Sequence, residues 1–276
     1  NATLATPGEQ DRYTFNLAAN ALLYFDSLTH SSSIQWSLSG PAGSAVSNRA
    51  FNQSDGFFIS TPALILPAGA YTLTVSGVGQ TTGAYAFRLS DLATAASLTP
   101  GTPVSGILNP ANSTNLYQLT ASAGDQYTLL RQGGSGAGAA SWRLIDPYGN
   151  VLFNSGLGNS SGLLTLTATG TYSLLVEGNI ADTGTGTYTF TAQFQGNVPP
   201  TAPSGTPLTL GSTVNGTLTT AGQQDPYIFN LAANALVYFD ALTNNGSFQW
   251  SLSGPAGTAV SNRSFTASDG ISLTNV

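Results

Sequence analysis

The sequence contains no cysteine, no methionine and no lysine, and a single histidine, His30. Each absence removes a class of chemistry. Without cysteine there is neither a disulfide framework nor a thiolate metal site. A Ser-His-Asp relay needs a histidine base, and His30 sits in a loop segment, Thr29-His30-Ser31, whose repeat counterpart is Thr243-Asn244-Asn245. Charge is also scarce, at 7% of residues against roughly 25% in an ordinary soluble domain. The six cations are all arginine, set against twelve Asp+Glu. No basic patch can therefore neutralise phosphates, and nucleic acid is not an expected partner. There is no signal peptide and no apolar run long enough to span a bilayer, so no membrane insertion is expected in this segment. The chain opens at Asn1 rather than Met, as expected of a processed or excised piece.

What is present argues against disorder. With 41% apolar and 10% aromatic residues, evenly spread, the chain can bury a core. Its organising feature is a repeat. Residues 8–26, GEQDRYTFNLAANALLYFD, return as GQQDPYIFNLAANALVYFD at 222–240. Residues 35–49 return almost unchanged at 249–263, at the same spacing of about 214 residues.

A more distant copy lies between these two. Trp36-x-Leu38-x-Gly40-Pro41-x-Gly43 corresponds to Trp142-x-Leu144-x-Asp146-Pro147-x-Gly149, and Gly69-x-Tyr71-x-Leu73-x-Val75 to Gly170-x-Tyr172-x-Leu174-x-Val176. Tyr13 matches Tyr117 and Tyr227, so each copy carries one Trp. The array reads A (1–93), B (94–196), a Pro-rich linker (197–207) and A′ (208–276). The linker should be extended and fairly stiff. Module A lacks the opening Leu-x-x-Gly-x-x-Val strand found at Leu98 and Leu208, and A′ stops before its closing Gly-x-Tyr strands. The expectation is either a truncated array or strands supplied by a neighbouring chain.

The hydrophobic period is two. Ile34, Trp36 and Leu38 alternate with Gln35 and Ser37, as a half-buried strand requires. Turn segments such as Gly40-Pro41-Ala42-Gly43 separate such runs, and no helical stripe occurs. The fold class predicted is all-β: tandem antiparallel β-sandwich modules of jelly-roll or Ig-like type, with almost no helix. The expected structural core comprises Trp36, Trp142, Trp250, Tyr13, Tyr117, Tyr227, Tyr71 and Tyr172.

In order, Gly-x-x-Asp-x-Tyr-x-Phe, Trp-x-Leu-x-Gly/Asp-Pro-x-Gly, Ala-Gly-x-Tyr-x-Leu-x-Val and Gly-x-Tyr-x-Phe resemble the bacterial pre-peptidase C-terminal (PPC) domain. The resemblance covers nearly the whole chain in three passes. It implies a β-sandwich appended to secreted enzymes or large surface proteins, and hence a secreted or cell-surface location. Some relatives bind collagen or calcium through clustered acids, whereas the acids here are scattered.

No catalytic constellation is expected, and the chain reads as a non-enzyme. Only Glu9 and Glu177 are Glu, and Glu9 becomes Gln223 in A′. Zinc-ligand spacing is absent, and Gly133–Gly138 lacks the lysine of a phosphate-cradling loop. Structural calcium is the one metal question, with Asp11, Asp55, Asp125, Asp225 and Asp269 as candidates. Asp in these positions also serves simply to bond backbone N–H groups. The function expected is a structural repeat of an extracellular fibre, filament or adhesin stalk, built on neighbouring modules and other copies of the same protein. The alternative is an accessory carbohydrate- or protein-binding module of a secreted hydrolase, with a polysaccharide or host-surface ligand. Without lysine to protect its sheet edges, the chain is expected to cover them with neighbouring modules.

Overall fold

The computed structural model describes residues 2–56, 59–136, 138–232, 235–268 and, as backbone, 272–273. The chain divides into two compact units, Asn1–Val198 and Pro199–Val276. The division falls inside the Pro-rich segment. The described residues form antiparallel β-sandwich modules with short 3-10 turns and no α-helix. No helix among them is long and apolar enough to cross a membrane.

Module A contains β1 (Ala2–Leu4), β2 (Gln10–Leu17), β3 (Ala21–Ser27), β4 (Ile34–Gly40), β5 (Gly43–Ala50), β6 (Ala63–Leu66), β7 (Gly69–Gly77), β8 (Gly83–Tyr85) and β9 (Phe87–Asp91). One sheet runs β2-β7-β4-β5, and the facing layer is β6-β3-β9 with the β1-β8 pair. Strict alternation in β4 and β7 aims Trp36, Leu38, Tyr71, Leu73 and Val75 between the layers, where they meet Leu23 and Phe25. Gly40 is required there: a Cβ would lie 2.1 Å from the Tyr71 ring.

Module B repeats the plan with β10 (Ala96–Ser97), β11 (Pro103–Leu108), β12 (Thr114–Ala121), β13 (Asp125–Gly133), β14 (Ser141–Ile145), β15 (Val151–Gly156), β16 (Leu163–Thr165), β17 (Gly170–Glu177) and β18 (Gly186–Asn197). Its sheets are β10-β12-β17-β14-β15 and β11-β18-β13-β16, closing a separate core around Trp142, Tyr172 and Phe190. All pairings in the module are antiparallel except β10 on β12.

The second unit holds β19 (Thr206–Pro207), β20 (Tyr227–Ile228), β21 (Val237–Tyr238), β22 (Gln249–Gly254), β23 (Gly257–Ser264) and β24 (Ser272–Leu273). The β19–β20 pair is parallel and repeats the β10–β12 pairing of module B.

Four of the expected core residues are not fully buried. Tyr13 is 38% exposed and Tyr227 40% exposed, while Trp250 is only half-buried. Tyr13 lies on β2, a sheet edge, where its phenol leans over the mouth of the sandwich to share a hydrogen bond of 2.6 Å with Tyr85. Its counterpart Tyr117 makes the same bond to Tyr188, also at 2.6 Å, and is better covered because β10 flanks β12. Tyr227 stands on a strand of two residues. Trp250 is on β22, which pairs with β23 alone among the described residues, so nothing does for it what β7 does for Trp36. Trp36, Trp142, Tyr71 and Tyr172 are buried.

The sheet edges are protected by geometry rather than lysine. The β4–β5 pair carries register shifts around Leu38, with Asn48 in the left-handed region at φ 46°, and Ser37 Oγ accepts the Asn48 N–H. A′ copies the device at Asn262, φ 47°, and the β14–β15 pair has a shift at Leu144/Ile145. Such bulges twist an edge away from further pairing. At β5 and β15 the bulge gives the edge a local protection, beside any cover that neighbouring modules or subunits supply.

Candidate functional site

Alternation breaks in three strands. Residues 23–27 of β3, all of β14 and 172–177 of β17 are buried without interruption. A strand loses its alternation when both faces are covered. Here the inner faces pack into the cores of A and B, and the outer faces pack on each other. Tyr24, Ala63 and Leu92 of A meet Ile145 and Leu175 of B, with Leu22, Leu116 and Val151 around them.

At the centre of this junction is a polar cluster. Arg143 and Glu177 of B are fully buried and paired, Arg143 Nε donating to Glu177 Oε2 at 3.0 Å and Nη2 to Oε1 at 3.2 Å. Tyr24 of A donates its hydroxyl to Glu177 Oε1 at 2.9 Å. The remaining guanidinium N–H groups reach the carbonyls of Gly56 and Ile59 in A. Beside them, Arg88 of A donates to Asp26 Oδ2 at 2.7 Å and to the Thr114 carbonyl of B at 2.9 Å. Each module therefore inserts one arginine into hydrogen bonds with the other. Buried charge is tolerated when its partners are this complete.

Two carboxylates are less well served. Asp55 Oδ2 accepts the Ser27 N–H at 2.6 Å, but the Oδ1 atoms of Asp55 and Asp26 have no partner among the described residues. Burial pushes Asp55 up to about 9, with the neighbouring charge of Asp26 adding to it. Burial pushes Asp26 up to about 6 against the pull of Arg88. An acid raised above its ordinary 3.8 stabilises the fold fully below that pH. That stabilisation is lost as pH rises, through about 6 for Asp26 and about 9 for Asp55. The 1–198 unit should consequently melt higher at pH 5 than at pH 8, by on the order of 5 °C. Asp55→Asn supplies the missing proton permanently and should flatten the slope above pH 6. A calorimetric melt that is the same at both pH values would overturn this assignment.

The calcium candidates do not converge. Asp11 accepts from Tyr85, Asp125 from the Ser122 N–H and Asn197, Asp225 from Gln223, and Asp55 is at the junction. Asp269 lies outside the described residues. Among the described residues no three metal-ligating side chains come together. A shallow groove on module A, over Phe15 and Tyr71, holds no acid, histidine or arginine. His30 is exposed in its loop.

Arg143 and Glu177 do not stand out as a pair in the sequence, although a signal exists. The aligned positions in A are Ser37 and Ser76, and Leu175 aligns with Thr74. Outward positions that are small and polar in A are thus charged or apolar in B.

No family model matches the chain, and no curated protein matches it. Among solved structures it is similar to PliG of Aeromonas hydrophila, a periplasmic inhibitor of g-type lysozyme, at 18% identity and a TM-score of 0.32, covering 37% of this chain and 96% of that one. It is also similar to the CUB1-EGF-CUB2 domain of human MASP-1/3, at 10% identity and a TM-score of 0.22, covering 69% and 98%. Likenesses at this level carry no functional argument.

Proposed function

We propose that the chain is a structural repeat segment of a bacterial extracellular fibre, filament or adhesin stalk, self-associating through its β-sandwich modules. The observation that carries this reading is the A–B junction. Beads on a flexible string would keep both outer faces polar. Here two consecutive modules bury a mixed apolar and ionic face between them, so they behave as one stiff segment. A chain that repeats such a segment gains length with each copy, since each module contacts only its neighbours. The low charge also leaves little repulsion between packed copies. The resemblance to PPC domains supports a secreted or cell-surface setting for such a segment.

Electron microscopy of the purified native protein tests the reading. Extended filaments or stalks with a regular axial repeat are expected. A field of dispersed, compact monomers at all concentrations would overturn it.

A further inference from the structure

Module A and A′ carry nearly the same sequence, yet one of their faces meets different fates. In A, the β3 segment Leu22-Leu23-Tyr24-Phe25-Asp26 is buried on its outer side by module B, and Tyr24 is 1% exposed. The matching segment of A′ is Leu236-Val237-Tyr238-Phe239-Asp240, and it alternates cleanly. Phe239 turns inward to stack on Trp250 at 4.0 Å, as Phe25 stacks on Trp36 at 3.9 Å. Val237 is half-buried like Phe239, while Leu236, Tyr238 and Asp240 face out, Leu236 77% exposed, Tyr238 54%, and Asp240 exposed. These three residues point away from the module's own core, on the side opposite Phe239 and Trp250.

Module B is different at the equivalent strand. There β13 presents Gln126, Thr128 and Leu130 outward in place of Leu, Tyr and Asp. The Leu-Tyr-Asp face therefore belongs to A-type modules alone. Its complement is also present in the chain: the outward face of β14 and β17, bearing Arg143, Ile145, Leu175 and Glu177.

We infer that the outer face of β21 in A′, formed by Leu236, Tyr238 and Asp240, is a docking site for a further B-type module. That module would seat its Arg-Leu-Glu face on A′ as module B seats on A. The tyrosine hydroxyl donates to the Glu177 equivalent, the leucine packs against the Asp-Pro-x-Gly turn, and the aspartate accepts the backbone N–H of the Thr114 equivalent, as Asp26 does in A. In the A–B pair, Leu22 and Ile65 already flank that turn at Gly149. The inference deepens the reading of the chain as an array segment, because it makes pairing directional: A accepts B, and B does not accept B.

Residues 94–198 make a suitable probe, since module B holds both its sheets and a private core of 17 buried residues. Labelled probe titrated into the 276-residue chain should bind one to one, because the corresponding face of A is already covered. Leu236→Asp in the chain, at a site exposed enough to leave the fold unstressed, should weaken binding by more than about tenfold. Arg143→Ala in the probe, where that residue is solvated, should do the same. A probe that melts cooperatively yet shows no binding at ~100 µM, or binding indifferent to Leu236→Asp, overturns the inference. A second arm uses only the full chain. Leu22→Asp should loosen module B from A and free its face for A′ of another copy. Sedimentation should then show a concentration-dependent dimer that disappears in Leu22→Asp/Leu236→Asp, and a variant that stays monomeric overturns the inference. Microscopy judges the array reading separately, so a missing interaction and a missing filament are distinct failures.

Discussion

Arg143→Ala should destabilise the 1–198 unit by about 3–5 kcal/mol and uncouple module A from module B. Removing the guanidinium leaves Glu177 as a buried charge whose one remaining side-chain donor is Tyr24, and strips the carbonyls of Gly56 and Ile59 of their donor. That is the costly way to alter a buried pair, since the survivor keeps its desolvation penalty. The expected melt is therefore lower and no longer a single transition, with module B persisting after the junction has opened. Arg143→Met combined with Glu177→Leu removes both charges and should recover much of the loss, because neither residue is then left unpaired. Calorimetry of the single and double variants checks the argument. If Arg143→Ala melted like the parent, the ion pair would be a passenger in the junction rather than its support.

The modular plan was legible because it rests on period-two alternation and turn chemistry, which each module expresses locally. Trp36, Trp142, Tyr71 and Tyr172 sit mid-strand, and their phase alone places them inside. Phase does not report how well a strand is covered. Tyr13 on an edge strand, and Tyr227 and Trp250 on strands with few partners, have the right phase and incomplete burial. The junction was harder to see, because alternation assigns every second residue to solvent. Leu175 and Glu177 read as outward-facing, and so they are; what covers them is another module. Laying B over A strand by strand gives the missing signal, with Thr72, Thr74 and Ser76 against Ser173, Leu175 and Glu177. In a chain with six arginines, an arginine at the centre of a strand is itself informative. Asp26 and Asp55 recur in A′ as Asp240 and Asp269. Of these, Asp55 and Asp269 were weighed as calcium ligands; in module A, Asp55 accepts the Ser27 N–H and lies with Asp26 at the A–B junction.

Trp36→Ala should cost about 3–5 kcal/mol, with the loss falling on module A. The indole is fully buried, stacked on Phe25 at 3.9 Å between ring centroids and capped by the Arg49 guanidinium at 5.7 Å. Its Nε1 donates to Ser54 Oγ at 2.7 Å, and that hydroxyl in turn donates to the Ala50 carbonyl, which pins the turn leading to Asp55 at the junction. Truncation removes the stack, opens a cavity against Phe51 and Tyr85, and slackens the loop that supplies two carbonyls to Arg143. The melt should fall by about 10 °C, with A–B coupling weakened as a secondary effect. Trp250→Ala should cost much less, because that indole is half-buried although its bond to Ser268 is the same 2.7 Å. The pair of variants separates a structural tryptophan from one held out as a stacking platform for a sugar. A platform residue could be removed from module A with the melt unchanged, and that result would return Trp36 to the surface.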